Sequence, residues 1–235
     1  MASTRLPGKI FKKVSGKTLL EYQLERLRRV TLADDVIIAT TTNPADDPIL
    51  DFCRAAGVAC FCGSEEDVLS RFMGAARHYE ADVVVRVTSD CPLIDPEVID
   101  QVIQFYRTHS SCIDYVSNIL QRTFPRGMDC EVFPTAVLQT VFEEASQPAE
   151  REHVTPFIYN HPERFRTANV AYAVDASRHR WTVDTPEDFE LIKRMLEALY
   201  PLKAQFTLQD CLALIGEHPE WEALNRHVEQ KPVKA

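Results

Sequence analysis

Two kinds of apolar run alternate along this chain, and that alternation constrains the fold more than any other feature. Short β-rich runs occur at Val36-Ile37-Ile38-Ala39-Thr40, at 58–62 and at Val83-Val84-Val85-Arg86-Val87-Thr88. Between them lie longer stretches with helical spacing, such as Leu20, Leu24, Leu27 and Val30 within 18–30. The same pattern predicts helices over 48–56, 65–78, 96–108, 134–145, 152–160 and 186–199, and further strands over 115–118, 130–133, 165–173 and 181–183. Ser64 followed by Asp67 resembles a capping box at the start of the second of these helices. Alternation of this kind predicts a three-layer α/β/α sandwich with a mostly parallel sheet. The 83–88 run is the most apolar and suits a central parallel strand covered on both faces. The segment 200–206 reads as a linker, which divides the chain into a domain over 1–199 and a helical appendage over 200–235.

Charge narrows the partners. A net charge of −9 argues against a nucleic-acid binder. Residues 1–20 nevertheless carry Arg5, Lys9, Lys12, Lys13 and Lys17 and no acid, a local site for a polyanion. No apolar run approaches the roughly 20 residues that span a bilayer, and the first 20 residues lack the apolar core of a signal peptide. The seven cysteines are odd in number and form no Cys-x-x-Cys, so they are expected to be reduced, in keeping with a cytoplasmic location.

Four constellations carry chemical potential. Ser3-Thr4-Arg5-Leu6-Pro7-Gly8-Lys9 combines small residues, which let backbone N–H groups approach a phosphate, with two cations. It lacks the Walker pattern. Thr88-Ser89-Asp90-Cys91-Pro92 follows the most apolar strand, where open α/β sheets bind ligands, so Asp90 can help hold Mg2+. Asp95 precedes Pro96 and reads instead as a helix cap. Asp184, in Trp181-Thr182-Val183-Asp184-Thr185-Pro186-Glu187-Asp188, is a second metal ligand or part of an N-cap region with Thr185 as cap. The loops 122–129 and 150–153 are rich in charge, as a polar sugar requires.

Taken in order, STRLPGK, TTTNPADDPI, GSEEDVLSRF, VVVRVTSDCPLIDPEVID, DYVSN, EREHVTPFIY and RWTVDTPEDFELI resemble the cytidylyltransferase family that includes the acylneuraminate and 3-deoxy-manno-octulosonate cytidylyltransferases, in particular its branch of spore-coat polysaccharide biosynthesis proteins. The resemblance runs to about residue 199. It implies a Rossmann-like nucleotide-diphospho-sugar transferase fold and transfer of CMP from CTP to a sugar, with Mg2+ as cofactor and pyrophosphate released. It further implies that Ser3, Arg5 and Lys9 bind the triphosphate, that Asp90 and Asp184 hold the metal, and that Ser64, Asp67 and Thr88 lie near the nucleotide. Arg126, Asp129, Glu152 and His153 would face the sugar. Related synthetases imply a homodimer.

One departure from the family pattern stands out. Its first strand and an Ala-Arg pair precede the phosphate loop, whereas this sequence opens at Met1-Ala2 inside that loop. A missing central strand leaves neighbouring backbone groups unpaired, at about 1–3 kcal/mol each if buried, and a truncated or misplaced start is the expected reason. Two other functions compete: a non-catalytic nucleotide-binding homologue, and a glycosyltransferase of similar fold, against which the absence of any Asp-x-Asp counts.

Overall fold

The computed structural model describes residues 5–230; Ser3 lies outside them. A 3-10 turn at Lys9–Phe11 leads into a small hairpin of β1 (Lys13–Val14) and β2 (Lys17–Thr18). Thr18 then caps α1 (Leu19–Leu27) in a full capping box with Glu21. β3 (Ile37–Thr41), α2 (Asp47–Ala56) and β4 (Ala59–Gly63) follow, with β3 and β4 paired in parallel. Next come α3 (Val68–His78), β5 (Val83–Arg86), α4 (Pro96–His109), β6 (Tyr115–Ser117), β7 (Glu131–Pro134) and α5 (Thr135–Glu144). The remainder is α6 (Pro148–His153), α7 (Pro156–Asn160), β8 (Thr167–Asn169), α8 (Pro186–Leu199), α9 (Leu208–Glu217) and a 3-10 stretch at Pro219–Leu224.

Alternation of side chains along the strands builds the layers. On β7, Phe133 joins Leu69 and Met73 of α3 and Leu138 and Val141 of α5, while its neighbour Val132 joins Ile99, Val102 and Ile103 of α4. Tyr115 and Val116 of β6 divide in the same way, as do Val84 and Val85 of β5. Helices therefore cover both faces of the sheet, and the three-layer expectation holds. A third cluster, at the end that carries the basic segment, packs Leu6, Val14, Phe124 and Trp181 with Leu191 and Ile192 of α8 and with Phe206, Leu208, Cys211 and Ile215. Residues beyond 199 thus share a core with those before it.

The pairing is more mixed than a mostly parallel sheet. In the order β5-β7-β6-β8, β7 runs antiparallel to both its neighbours, and only β6 and β8 pair in parallel. β5 is therefore covered on both faces, as its composition requires, but its recorded partner is antiparallel. No described strand pairs with both β3 and β5, so the strands fall into separate hydrogen-bonded sheets. Three local expectations are also corrected. The helix expected from 65 begins at Val68, because Asp67 is itself the N-cap and accepts from the Ser70 N–H at 2.9 Å. The helix expected over 152–160 is two, α6 and α7, broken at Val154 with φ +73°. The expected strand at 181–183 does not form; the nearest strand-like pairing is an isolated bridge between Arg126 and Arg180.

A buried polar knot locks the sheet to the α6–α7 corner. Glu131, 2% exposed, accepts from the Tyr115 hydroxyl and the Thr155 hydroxyl, each at 2.6 Å, and pairs with Arg86. A buried carboxylate is tolerated only with such partners. Replacing Glu131 with Leu strands the Arg86 charge and should cost about 3–5 kcal/mol in a urea melt. Pairing it with Arg86→Met should recover much of that loss; a double variant no more stable than the single one would contradict the account.

Candidate active site

Two loops deliver the acidic side chains. One leaves β5 and carries Asp90; the other leads into α8 and carries Asp184. The Val183 N–H donates to the Asp90 carbonyl at 2.8 Å and the Thr182 hydroxyl to the same oxygen at 3.4 Å, so the loops are joined through backbone. The Thr88 hydroxyl donates to Asp90 Oδ1 at 2.6 Å, and Gln23 on α1 holds the Thr88 carbonyl at 2.7 Å. Asp184 is set from the other side by the start of α8. There Thr185 is the N-cap in a capping box with Asp188, and Pro186 occupies the first turn. Asp188 Oδ2 also accepts the Asp184 N–H at 3.0 Å.

The basic segment closes over this pair. Gly8, at φ +64°, turns the chain into the Lys9–Phe11 turn. Lys9 Nζ then lies 2.7 Å from Asp90 Oδ2 and 2.8 Å from Asp184 Oδ1. Arg5 and Arg180 reach the other oxygen of Asp184 at 3.0 and 2.9 Å. The Lys9, Asp90 and Asp184 side chains are 17%, 21% and 15% exposed, a cleft rather than a core. Burial alone would depress the Lys9 ammonium, yet Asp90 and Asp184 raise it above its ordinary value. Burial would likewise raise the Asp184 carboxyl, but Lys9, Arg5 and Arg180 overrule it and hold it low.

The remaining residues singled out in the sequence fall into two groups. Asp129 is gripped by Arg122 through two bonds of 2.5 and 2.9 Å. Arg126 sits close by, where burial and the neighbouring Arg122 lower its guanidinium from the ordinary value while Asp129 and Asp184 oppose that fall. Among the described residues it has no carboxylate within ion-pair distance. Its backbone is clamped to the 179–181 segment: the Arg126 N–H donates to the His179 carbonyl at 3.0 Å, and the Trp181 N–H donates back to the Arg126 carbonyl at 2.7 Å. Gly127 makes this approach feasible. Its φ is +104°, and a Cβ there would lie 2.6 Å from the Trp181 carbonyl oxygen. The second group has no hydrogen bond or ion pair to the Lys9 cluster among the described residues. Asp67 caps α3 and pairs with Arg151, and the Ser64 hydroxyl accepts the Asp67 N–H at 3.0 Å. Glu152 and His153 lie on α6, and among the described residues no contact joins them to the Lys9 cluster.

Arg180 and Gln23 were not foreseen. Arg180 stands four positions before Asp184 and also grips the fully buried Asp188 through two bonds of 2.9 and 3.1 Å. An arginine in the run Arg178-His179-Arg180-Trp181 gives no signal of this contact in its residue type or spacing. The seven cysteines are all free, and no described helix is long and apolar enough to cross a membrane.

Comparison with known proteins identifies the family. The profile of a cytidylyltransferase family matches residues 1–211. The spore coat polysaccharide biosynthesis protein SpsF of Bacillus subtilis is 31% identical over 227 residues, 94% of this chain and 92% of that protein. The structure of a cytidylyltransferase from Leptospira borgpetersenii serovar Hardjo-bovis superposes with a TM-score of 0.90 at 33% identity, covering 99% of this chain and 95% of that one. A CMP:2-keto-3-deoxy-manno-octonic acid synthetase complexed with CTP superposes with a TM-score of 0.61 over 83% of this chain and 94% of that one; at 19% identity this likeness concerns the fold.

Because the Asp184 carboxyl is held low, its contribution to stability is present above the ordinary carboxylate range and is lost as pH falls through the lowered folded value. Replacing Lys9 with Met should raise the Asp184 carboxyl and move that acid loss to higher pH. Carbon-detected NMR titration of the Asp184 carboxyl checks the shift; an unchanged titration would remove Lys9 as its cause.

Proposed function

We propose that this chain, which belongs to the cytidylyltransferase family, transfers CMP from CTP to an acidic sugar in a magnesium-dependent reaction that serves polysaccharide synthesis in the cytoplasm. The observation that carries the proposal is the convergence of Asp90 and Asp184 on the single ammonium of Lys9, with Arg5 alongside.

That convergence suits a hard divalent cation. Among the described residues there is no cluster of three or more metal-ligating side chains. Two carboxylates are nevertheless a normal protein share for magnesium, which takes its other ligands from phosphate oxygens and water. Asp90 and Asp184 would hold the ion, which supplies neutralisation of charge on the phosphate oxygens. Lys9 and Arg5, relieved of the carboxylates, would turn to the triphosphate; Arg5 can grip two phosphate oxygens at once.

The reaction needs no covalent enzyme intermediate. A sugar hydroxyl oxygen forms the new bond at the α-phosphorus as the bond to pyrophosphate breaks; pyrophosphate leaves with the electron pair, and the hydroxyl proton passes to solvent. The protein's task is therefore positioning and charge stabilisation. Thr88 and Gln23 fix the direction of Asp90, and the backbone link from Val183 to Asp90 keeps the two acidic loops in register. Support for an acidic sugar comes from Arg126, a half-buried cation without an ion-pair partner among the described residues, beside the Arg122–Asp129 pair. Polysaccharide synthesis is carried over from the name of the Bacillus subtilis relative.

Pyrophosphate release should appear with CTP, magnesium and a sugar acid, and not when UTP, ATP or GTP replaces CTP. Asp90→Asn and Asp184→Asn should each lower kcat/KM by about a hundredfold or more, the scale set by loss of one transition-state charge contact. Turnover with UTP in place of CTP, or near-normal activity in either variant, would refute the reading.

A further inference from the structure

The segment after α8 reaches back to the acidic pair through a chain of buried hydrogen bonds. Past α9, the 3-10 stretch Pro219–Leu224 delivers Asn225, which is 3% exposed. Its amide donates to the Arg180 carbonyl at 2.8 Å and to Asp188 Oδ1 at 2.9 Å. Asp188 is fully buried, and its second oxygen accepts the N–H groups of Asp184 and Thr185 at 3.0 and 3.1 Å. Both Asp188 oxygens also receive the Arg180 guanidinium, whose Nη2 continues to Asp184 Oδ2 at 2.9 Å. Gln230 takes the remaining Nη1 at 2.6 Å. Every link from residue 225 to the Asp184 carboxylate is thus a hydrogen bond of ordinary length.

We infer that Asn225 and Arg180 are positioning residues for the carboxylate of Asp184, so that the C-terminal segment sets how tightly the acidic pair holds a divalent cation. The inference rests on the metal reading given above. Asn225 carries no charge and does not touch Asp184, so it reaches the cation only by fixing Asp188 and, through it, Arg180. Arg180 combines two opposed effects, a like charge near the cation and a brace on its ligand. Asn225 separates them, because its removal changes geometry and leaves the charge as it was. Outer partners of metal ligands typically account for about 10–100-fold in metal affinity.

Mn2+ replaces Mg2+ as the probe, with binding to the full chain in the presence of CTP measured by electron paramagnetic resonance of the free ion. Asn225→Ala should weaken Mn2+ binding about tenfold. Asn225→Asp, of the same shape but without the amide donor, should weaken it at least as much. Gln230→Ala should act in the same direction with a smaller effect, and serves if the Asn225 variants fold poorly. Ile215→Val is the control: it trims the same segment's core contact and should lower the thermal midpoint while leaving Mn2+ affinity unchanged. Wild-type affinity in folded Asn225→Ala, or equal weakening in Ile215→Val, overturns the inference alone. Absence of Mn2+ binding by the wild type overturns the metal reading and this inference with it.

Discussion

Two ionised carboxylates at one part-buried site repel unless a cation lies between them, and the site depends on that requirement. Lys9 meets it with an ammonium that reaches both Asp90 and Asp184, 81 and 175 positions away. The contact pins the N-terminal basic segment across the carboxyl end of β5 and the start of α8. Leu6 and Val14, on either side of Lys9, enter the same apolar cluster as Trp181 and Leu191, so packing and charge fix the segment together. In the reaction proposed above, these are the residues assigned to a triphosphate and its counterion.

The molecule handles its two acidic centres differently. Glu131 lies in the core with Arg86, Tyr115 and Thr155 around it, and its only work there is to hold elements together. Asp184 is paired almost as fully, by Lys9, Arg5 and Arg180, but in a cleft where two of those cations come from a segment lying over the site. Partners held on one loop can be released to a ligand; partners woven through a sheet cannot. The same chemistry therefore gives rigidity in one place and an exchangeable assembly in the other.

Much of this was readable from residue order. Asp90 follows the most apolar run, and Asp184 precedes a Thr-Pro helix start, so strand-end and cap rules put them after β5 and before α8. Asp95 caps its helix as its place before Pro96 suggests. What escaped was tertiary. The direction of β7 depends on the path of the long 118–130 connection, which no periodicity encodes. The break at Val154 places a β-branched residue at positive φ, against its local preference, in a helical pattern that reads as continuous. Arg180, Gln23 and Asn225 act through contacts 4, 65 and 37 residues away, where sequence spacing carries no information. The tie from Asp67 to Arg151 of α6, 84 positions on, is of the same kind.

The close passage of Gly127 beneath the Trp181 carbonyl limits what can be exchanged there. The 122–129 loop and the strip bearing Trp181 are in van der Waals contact with no room for even one methyl group. Grafting that loop from a cousin with another preference succeeds only if the graft keeps glycine at 127; any larger residue would pry the two strips apart and drag the neighbouring acid with them. Substitution is better made at the tip of Arg126, whose side chain makes no ion pair among the described residues.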